Sequence, residues 1–351
     1  MPMQTLQPDT MRMKKLCSLF LGLALFLVSC GKTGSPDAKT YMVIKGFTQG
    51  TTYMVKYSSN DSIDYKSEIQ QVLHEVDSSM STYKDNSIIS RINRNEGQVQ
   101  VDHHFRKVFQ TAQRVSRMSG GAFDITVAPL VNAWGFGFTE RTDVDSTVID
   151  SLLDSVDYRS VQLKQGRIIK DDQRLMIDMN AIAQGYAVDA ISGFLDKQGT
   201  SDYLVEIGGE VRTNGLNPDG EPWRIGIDKP IDSSSAMQRE LQAIVSIKER
   251  AVATSGNYRK FYVEDGVKYS HTINPHTGYP VRHSLLSATV FAEECVFADA
   301  LATAFMVMGR EQSKQILKEH PSIGAYFIYS DEQGNFQIDY TDNIKDLIRN
   351  L

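Results

Sequence analysis

Apolar and polar residues alternate from position 41 to 57, the two-residue period of half-buried strands, with breaks at Gly46 and Gly50. The period then changes: Ile69, Val72, Leu73, Val76 and Met80 fall three and four apart, so 65–80 reads as an amphipathic helix. A second helix is expected over 104–118, closed by Gly120-Gly121, and a short one near 148–154 inside the acidic stretch 140–157. Residues 174–178 read as a strand ending in an acid, followed by a helix of small residues that stops at Gly199. Further strands are expected at 203–211, 223–227, 241–247, 287–292 and 325–329. Asp265-Gly266 between two β-prone triplets signals a hairpin. The stretch 297–308 is apolar on nearly every face, the mark of a buried helix. Strands and helices mix without βαβ rhythm or repeats of solenoid length, so the expected fold class is α+β.

The N-terminus carries a different pattern. Arg12, Lys14 and Lys15 precede an uncharged apolar run from Leu16 to Val28, too short to span a bilayer and sized like the core of a signal peptide. Residues 1–10 add nothing to such a leader. The run ends Leu27-Val28-Ser29-Cys30-Gly31, which resembles the lipobox of bacterial lipoproteins. This reading divides the chain into a leader (1–29), a lipidated terminus at Cys30 with a polar tether (30–40), and a folded domain (41–351). It places the protein in the bacterial cell envelope, held to the membrane by lipid and facing the periplasm.

Charge and cysteine content sharpen this. The chain carries a net charge of −6. The leader holds three basic residues and one acid (Asp9), so the remainder stands at −8. That argues against nucleic acid as a partner, and a polyanionic substrate would need a cation to be held. Of three cysteines, Cys17 leaves with the leader and Cys30 takes lipid, so Cys295 alone remains in the fold and no internal disulfide can form.

Four stretches could carry chemistry. Asp299 and Thr303 interrupt the apolar helix four residues apart, on one face. A buried carboxylate needs a partner, and the pair reads either as a first-turn acid or as hard oxygen ligands for magnesium. Asp178 to Tyr186 opens a helix with small residues, which suits either close helix–sheet packing or an anionic ligand at the helix N-terminus. Gly208-Gly209 within a strand suggests a bulge or close approach. In Ser270-His271-Thr-Ile-Asn-Pro-His-Thr-Gly-Tyr-Pro280, two prolines and a glycine fix a turn beside a histidine.

Seven segments in order resemble the ApbE family of exported FAD:protein FMN transferases. They are Ser81-Thr-Tyr-Lys84, Gly121 to Gly137, Asp178 to Tyr186, Gly208-Gly-Glu210, Thr254 to Tyr258, His271 to Gly278, and Ala298 to Thr303. The resemblance implies largely antiparallel sheets packed with helices in two closely joined subdomains. It implies magnesium-dependent transfer of FMN from FAD to a Thr or Ser hydroxyl of an exported protein, through a phosphoester, with release of AMP. By position it places Gln49, Tyr83, Ala122, Phe123, Asp124, Asp178, Gln184, Gly256 and Ile273 against the flavin substrate. Asp299, Thr303 and the Ala181 carbonyl would hold Mg2+, and His271 would act as base for the acceptor hydroxyl. The implied acceptors are subunits of membrane redox complexes of NADH:quinone reductase or Rnf type. Two positions depart from the family pattern: Gln49 stands where relatives often carry methionine, and Ala181 where some carry serine or threonine.

Rival readings make different demands. A serine hydrolase would use Ser81-Thr-Tyr-Lys84 as S-x-x-K, but its companion motifs are degraded to Ser201-Asp202-Tyr203 and His276-Thr277-Gly278. An FAD pyrophosphatase would use water in place of the acceptor hydroxyl. A non-catalytic flavin-binding lipoprotein would retain FAD and release no AMP. The lipobox yields a direct test: Cys30→Ala should release the protein from membrane fractions or leave its leader uncut, and normal processing with unchanged fractionation would refute lipidation.

Overall fold

The computed structural model describes residues 39–137, 144–231, 240–257, 261–264 and 267–351, with the side chains of 261–269 undescribed. The leader, Cys30 and the tether as far as residue 38 lie outside this set, as do Asp265-Gly266 and Tyr258. In chain order the elements are β1 (Thr40–Thr48), β2 (Thr51–Ser59), α1 (Lys66–Met80), α2 (Ile88–Asn93), α3 (His103–Met118), α4 (Ala128–Ala133) and α5 (Ser146–Leu153). There follow β3 (Val161–Lys164), β4 (Arg167–Lys170), α6 (Ala183–Lys197), β5 (Tyr203–Ile207), β6 (Glu210–Asn214), β7 (Trp223–Asp228), β8 (Leu241–Ile247) and β9 (Arg250–Gly256). The chain ends with β10 (Phe261–Glu264), β11 (Val267–Ser270), β12 (Leu285–Ala292), α7 (Cys295–Met308), α8 (Arg310–Glu319), β13 (Gly324–Ser330), β14 (Phe336–Tyr340) and β15 (Ile348–Asn350).

An eight-stranded sheet in the order β1-β2-β5-β6-β9-β12-β13-β14, antiparallel throughout, forms the frame. Its two faces bury different layers. Val55, Val205, Ala253 and Ala288 pack with residues of α1, α3, α6 and α7 in the main core. Val252, Phe291, Tyr326 and Ile328 face the other way, onto Ile227, Ala243 and Val245 of the small sheet β15-β8-β7. Alternate residues of β9 and β12 thus serve opposite layers, as strand geometry requires. The α+β class and the antiparallel sheets expected from the sequence are present.

α7 is the central helix, buried from Cys295 to Ala302 without interruption. It starts two residues before the expected 297, and its own N-cap position, Glu294, supplies no side-chain hydrogen bond. Asp189 of α6 caps it from outside: Oδ1 accepts from Cys295 N at 3.0 Å and Oδ2 from Val296 N at 2.8 Å. Oδ1 also accepts from Arg212 Nη1 of β6 at 2.7 Å. One carboxylate therefore joins two helices and a central strand.

Three expectations need correction. Residues 174–178 form no strand, because their backbone is paired elsewhere: Ile177 exchanges two hydrogen bonds with the Asn93 side chain, and Asp178 N donates to Ile125 O. The stretch 203–211 is two strands, β5 and β6. Gly208 and Gly209 (φ 65° and 112°) make a left-handed two-residue turn between them, not a bulge. Gly46 does not break β1 but stays in register opposite Tyr53, whose ring lies where a Cβ would be. Helices near 66–80, 103–118 and 146–153 match the periodic patterns.

Replacing Asp189 tests the frame. Asp189→Ala uncaps α7 and strands the Arg212 charge in a largely buried place, and should cost about 3–5 kcal/mol in urea unfolding. A loss under about 1 kcal/mol would show that the cap is dispensable.

Candidate functional site

Two groups of side chains are joined through the 121–127 loop and segment 178–182, which enters α6. The first centres on Asp299, which is 7% exposed and faces α6. Its Oδ2 accepts from Gly185 N at 2.9 Å. Gly185 permits this approach, since a Cβ there would stand 2.5 Å from Cys295 O and 2.7 Å from Asp299 Cβ. One turn along α7, Thr303 Oγ1 lies 3.2 Å from Ser255 Oγ of β9. Burial, and then the neighbouring Glu210 carboxylate, hold the Asp299 carboxyl well above the usual acid range, against the opposing Gly185 amide. Glu210 itself is buried at the start of β6.

The β1–β2 turn meets this group. Gln184 Nε2 donates to Gln49 O at 3.5 Å, and Gln184 Oε1 and Glu210 Oε2 both lie 3.3 Å from where a Gly208 Cβ would stand. Gln49 takes a left-handed conformation at the turn (φ 48°). Ala181 is exposed in the turn entering α6, four residues before Gly185. Gly256 closes β9 opposite Ser287. The structure thus brings together Gln49, Gln184, Asp299 and Thr303 from the expected set, and adds Glu210 and Ser255.

The second group is a rigid turn seated on an apolar base. Ile273 bridges Pro280, Asn274 N donates to Tyr279 O, and Gly278 N donates to Asn274 O, each at 2.9 Å for the two bonds. Trp134 Nε1 donates to Gly278 O at 2.8 Å. Gly278 (φ 75°) sits against the Ile149 side chain with no room for a Cβ. Leu130, Trp134, Ile149 and Ile273 form the base. His271 leaves this turn half-buried, its ring edge-on to Phe136 with centroids 6.4 Å apart.

The loop 121–127 lies alongside. A Cβ at Gly121 would stand 3.0 Å from the His276 ring. Ala122, Phe123 and Asp124 are buried. Asp124 holds the loop together: Oδ1 accepts from Thr126 N and Oγ1 at 2.7 and 2.6 Å, and Oδ2 accepts from Tyr158 N at 2.9 Å. Burial raises its pKa and these bonds partly restore it. Asp178 Oδ1 accepts from Asn180 N at 2.7 Å, while burial raises its pKa too. Because Asp178 N binds Ile125 O, segment 178–182 ties this loop to the start of α6 and so to Asp299. Tyr83 stands apart from these contacts, 72% exposed after α1.

A profile of the ApbE family matches residues 49–327. The chain belongs to the ApbE family. It is 40% identical over 306 residues to the FAD:protein FMN transferase of Vibrio cholerae, covering 84% of this chain and 88% of that one. It is 35% identical to that of Escherichia coli K12, covering 88% and 90%. Among solved structures, the flavin transferase ApbE from Vibrio cholerae superposes with a TM-score of 0.79 at 35% identity, covering 88% of this chain and 99% of that one. The apo flavinyl transferase ApbE of Pseudomonas stutzeri gives 0.77 at 33% identity, covering 88% and 97%.

In this ApbE-family chain the donors around Asp299 fit a hard divalent cation. They are oxygens, the two carboxylates are buried, and the charge of Glu210 raises the cost of ionising Asp299 in a place that a cation would relieve. Among the described residues no group of three His, Cys, Asp or Glu side chains could hold a metal. A site here therefore depends on hydroxyl and carbonyl oxygens as well as acids. The serine-hydrolase reading loses its base, since Lys84 Nζ pairs with Asp77 Oδ2 at 3.2 Å.

The raised Asp299 carboxyl gives a test in metal-free solution. A carboxyl whose pKa rises on folding favours the fold below its unfolded value of about 3.9, and that contribution is lost as pH climbs through the folded value. Asp299→Asn keeps an acceptor for Gly185 N without the charge. In EDTA its Tm should therefore exceed that of wild type by a few degrees at neutral pH, with the gap closing in acid. A lower Tm at every pH would mean that the charge itself stabilises the fold.

Proposed function

We propose that this chain transfers FMN from FAD to a Ser or Thr hydroxyl of an exported acceptor protein, releasing AMP. The observation that carries the reading is the face of α7 that holds buried Asp299 and half-buried Thr303, with Asp299 bonded to the N-terminal turn of α6, in a chain related over most of its length to FAD:protein FMN transferases. In the reaction the acceptor oxygen attacks the FMN-side phosphorus. The new O–P bond forms as the bond to the AMP phosphate breaks, and the acceptor proton must be removed.

Each residue group has a part in that balance. His271, projecting from a turn that its hydrogen bonds and Trp134 hold rigid, takes the proton from the weakly nucleophilic hydroxyl. The N-terminal turn of α6 turns its positive dipole end toward the diphosphate, while its Gly185 amide stays with Asp299. Gln49, Gln184 and the 122–124 loop orient the flavin. Asp299, Thr303 and the Ala181 carbonyl would hold Mg2+, which when bound supplies charge neutralisation at the phosphates. The same reading includes export, lipid attachment at Cys30, a periplasmic working place and acceptors in membrane redox complexes. The leader supports the first two, and the net acidity of the domain accords with a cation-assisted diphosphate site.

His271→Ala should leave FAD affinity within about twofold, because the flavin contacts lie elsewhere. Transfer should fall by roughly a hundredfold or more, the scale of a lost positioned base. In-gel flavin fluorescence measures transfer and FAD quenching measures affinity. Parallel loss of both, with a lowered Tm, would reduce His271 to a support for its turn.

A further inference from the structure

β1 is one edge of the large sheet, and among the described residues it pairs only with β2. The two-residue turn at Gln49-Gly50 makes Thr48 and Thr51 a hydrogen-bonded pair, so Val43, Lys45 and Phe47 turn their N–H and C=O groups to the open edge. Thr52, opposite Phe47, has the matching phase: its carbonyl points away from β1 and accepts from Gly208 N at 3.1 Å. Exposed edges are ordinarily shortened, bent or charged to prevent pairing. This one is nine residues long, and Val43 and Phe47 are 49% and 72% exposed, with Lys45 alone between them.

Behind the same edge, between the hairpin and α1, lies a cleft of about 210 Å³ lined by Gly46, Tyr53, Gln70, His74 and Asp77 among others. The Tyr53 ring crosses Gly46 to reach it, and a Cβ at Gly46 would stand 2.7 Å from the hydroxyl. Tyr53 is 3% exposed, yet its hydroxyl completes no hydrogen bond. Burial raises its pKa, and the nearby Gln70 amide offsets this only in part. A buried hydroxyl held by no more than the Gln70 amide keeps unused hydrogen-bonding capacity, and beside a cleft it marks a place for an incoming polar group.

We infer that this edge and cleft dock an extended segment of the flavin-acceptor protein, next to the hydroxyl that receives FMN. The inference rests on the transfer reading above. A strand laid on β1 would pair with residues 43, 45 and 47, and its side chains would alternate between the two faces. One set enters the cleft and meets the Tyr53 hydroxyl, and the other lies beside Val43 and Phe47. The edge also leads to the reaction centre. β1 ends at Thr48; the carbonyl of Gln49, the next residue, accepts from Gln184, and Gly185 after it donates to Asp299.

Two substitutions test the edge without touching the flavin groups. Lys45→Pro removes an outward N–H and spares the ladder to β2. Phe47→Asp places a charge on the exposed apolar row. The probe is an extended peptide from a flavin-accepting redox subunit, with one threonine and apolar residues at alternate positions, offered to the full chain with FAD and magnesium. In each variant KM for the peptide should rise about tenfold, the scale of one net hydrogen bond or contact, with kcat, FAD affinity and Tm unchanged. An unchanged KM overturns the docking surface, and a loss of FAD affinity assigns the cleft to the flavin and overturns it equally. Fluorescence anisotropy of the labelled peptide reports docking even where no flavin moves. Peptide that binds wild type but not the variants, without any transfer, would sink the transfer reading and keep the docking. Peptide that binds all three equally would remove the docking.

Discussion

The Asp189 carboxylate holds the architecture in register. It accepts from the first two amides of α7 and from Arg212 of β6 while belonging to α6 itself. Burial raises its pKa and those donors oppose the rise only in part, so losing any of them is costly and α6, α7 and the sheet take their positions together. Gly185 lies one turn before it on α6, and Asp299 one turn after Cys295 on α7. The approach of Gly185 N to Asp299 is thus a consequence of the cap. The geometry around Asp299 therefore depends on a carboxylate that lies outside it.

Local patterns made much of this legible. Helices α1 and α3 follow from the spacing of their apolar residues, and α7 from an apolar run that only a core could accept. Residues 174–178 misled because β-prone side chains fill an extended segment whose partners, the Asn93 amide and Ile125 carbonyl, are remote in sequence. The two glycines at 208–209 carried the correct signal for a tight turn, but the continuous apolar pattern on either side hid the reversal.

The site was readable to the extent that it lies in contiguous motifs. Asp299 and Thr303 stand out against their helix, and the 271–280 turn announces itself by its prolines and glycine. Glu210 and Ser255 sit inside segments that resemble the family, yet nothing local distinguishes them from ordinary strand residues. Their relevance appears only when the sheet order places β6 and β9 side by side under α7. Asp124 is an instructive opposite: a prominent acid whose oxygens are already taken by Thr126 and Tyr158, so that it sets the shape of its loop.

Cys295 sits fully enclosed at the first turn of α7, where burial lifts its thiol well above the ordinary range. A thiol held neutral and out of reach neither exchanges with glutathione nor couples to a neighbouring molecule. The described domain therefore folds without a disulfide, indifferent to the redox poise around it. The same polypeptide can mature in an oxidising envelope without an isomerase, or be made in a reducing cytosol for study, and reach one native state in both.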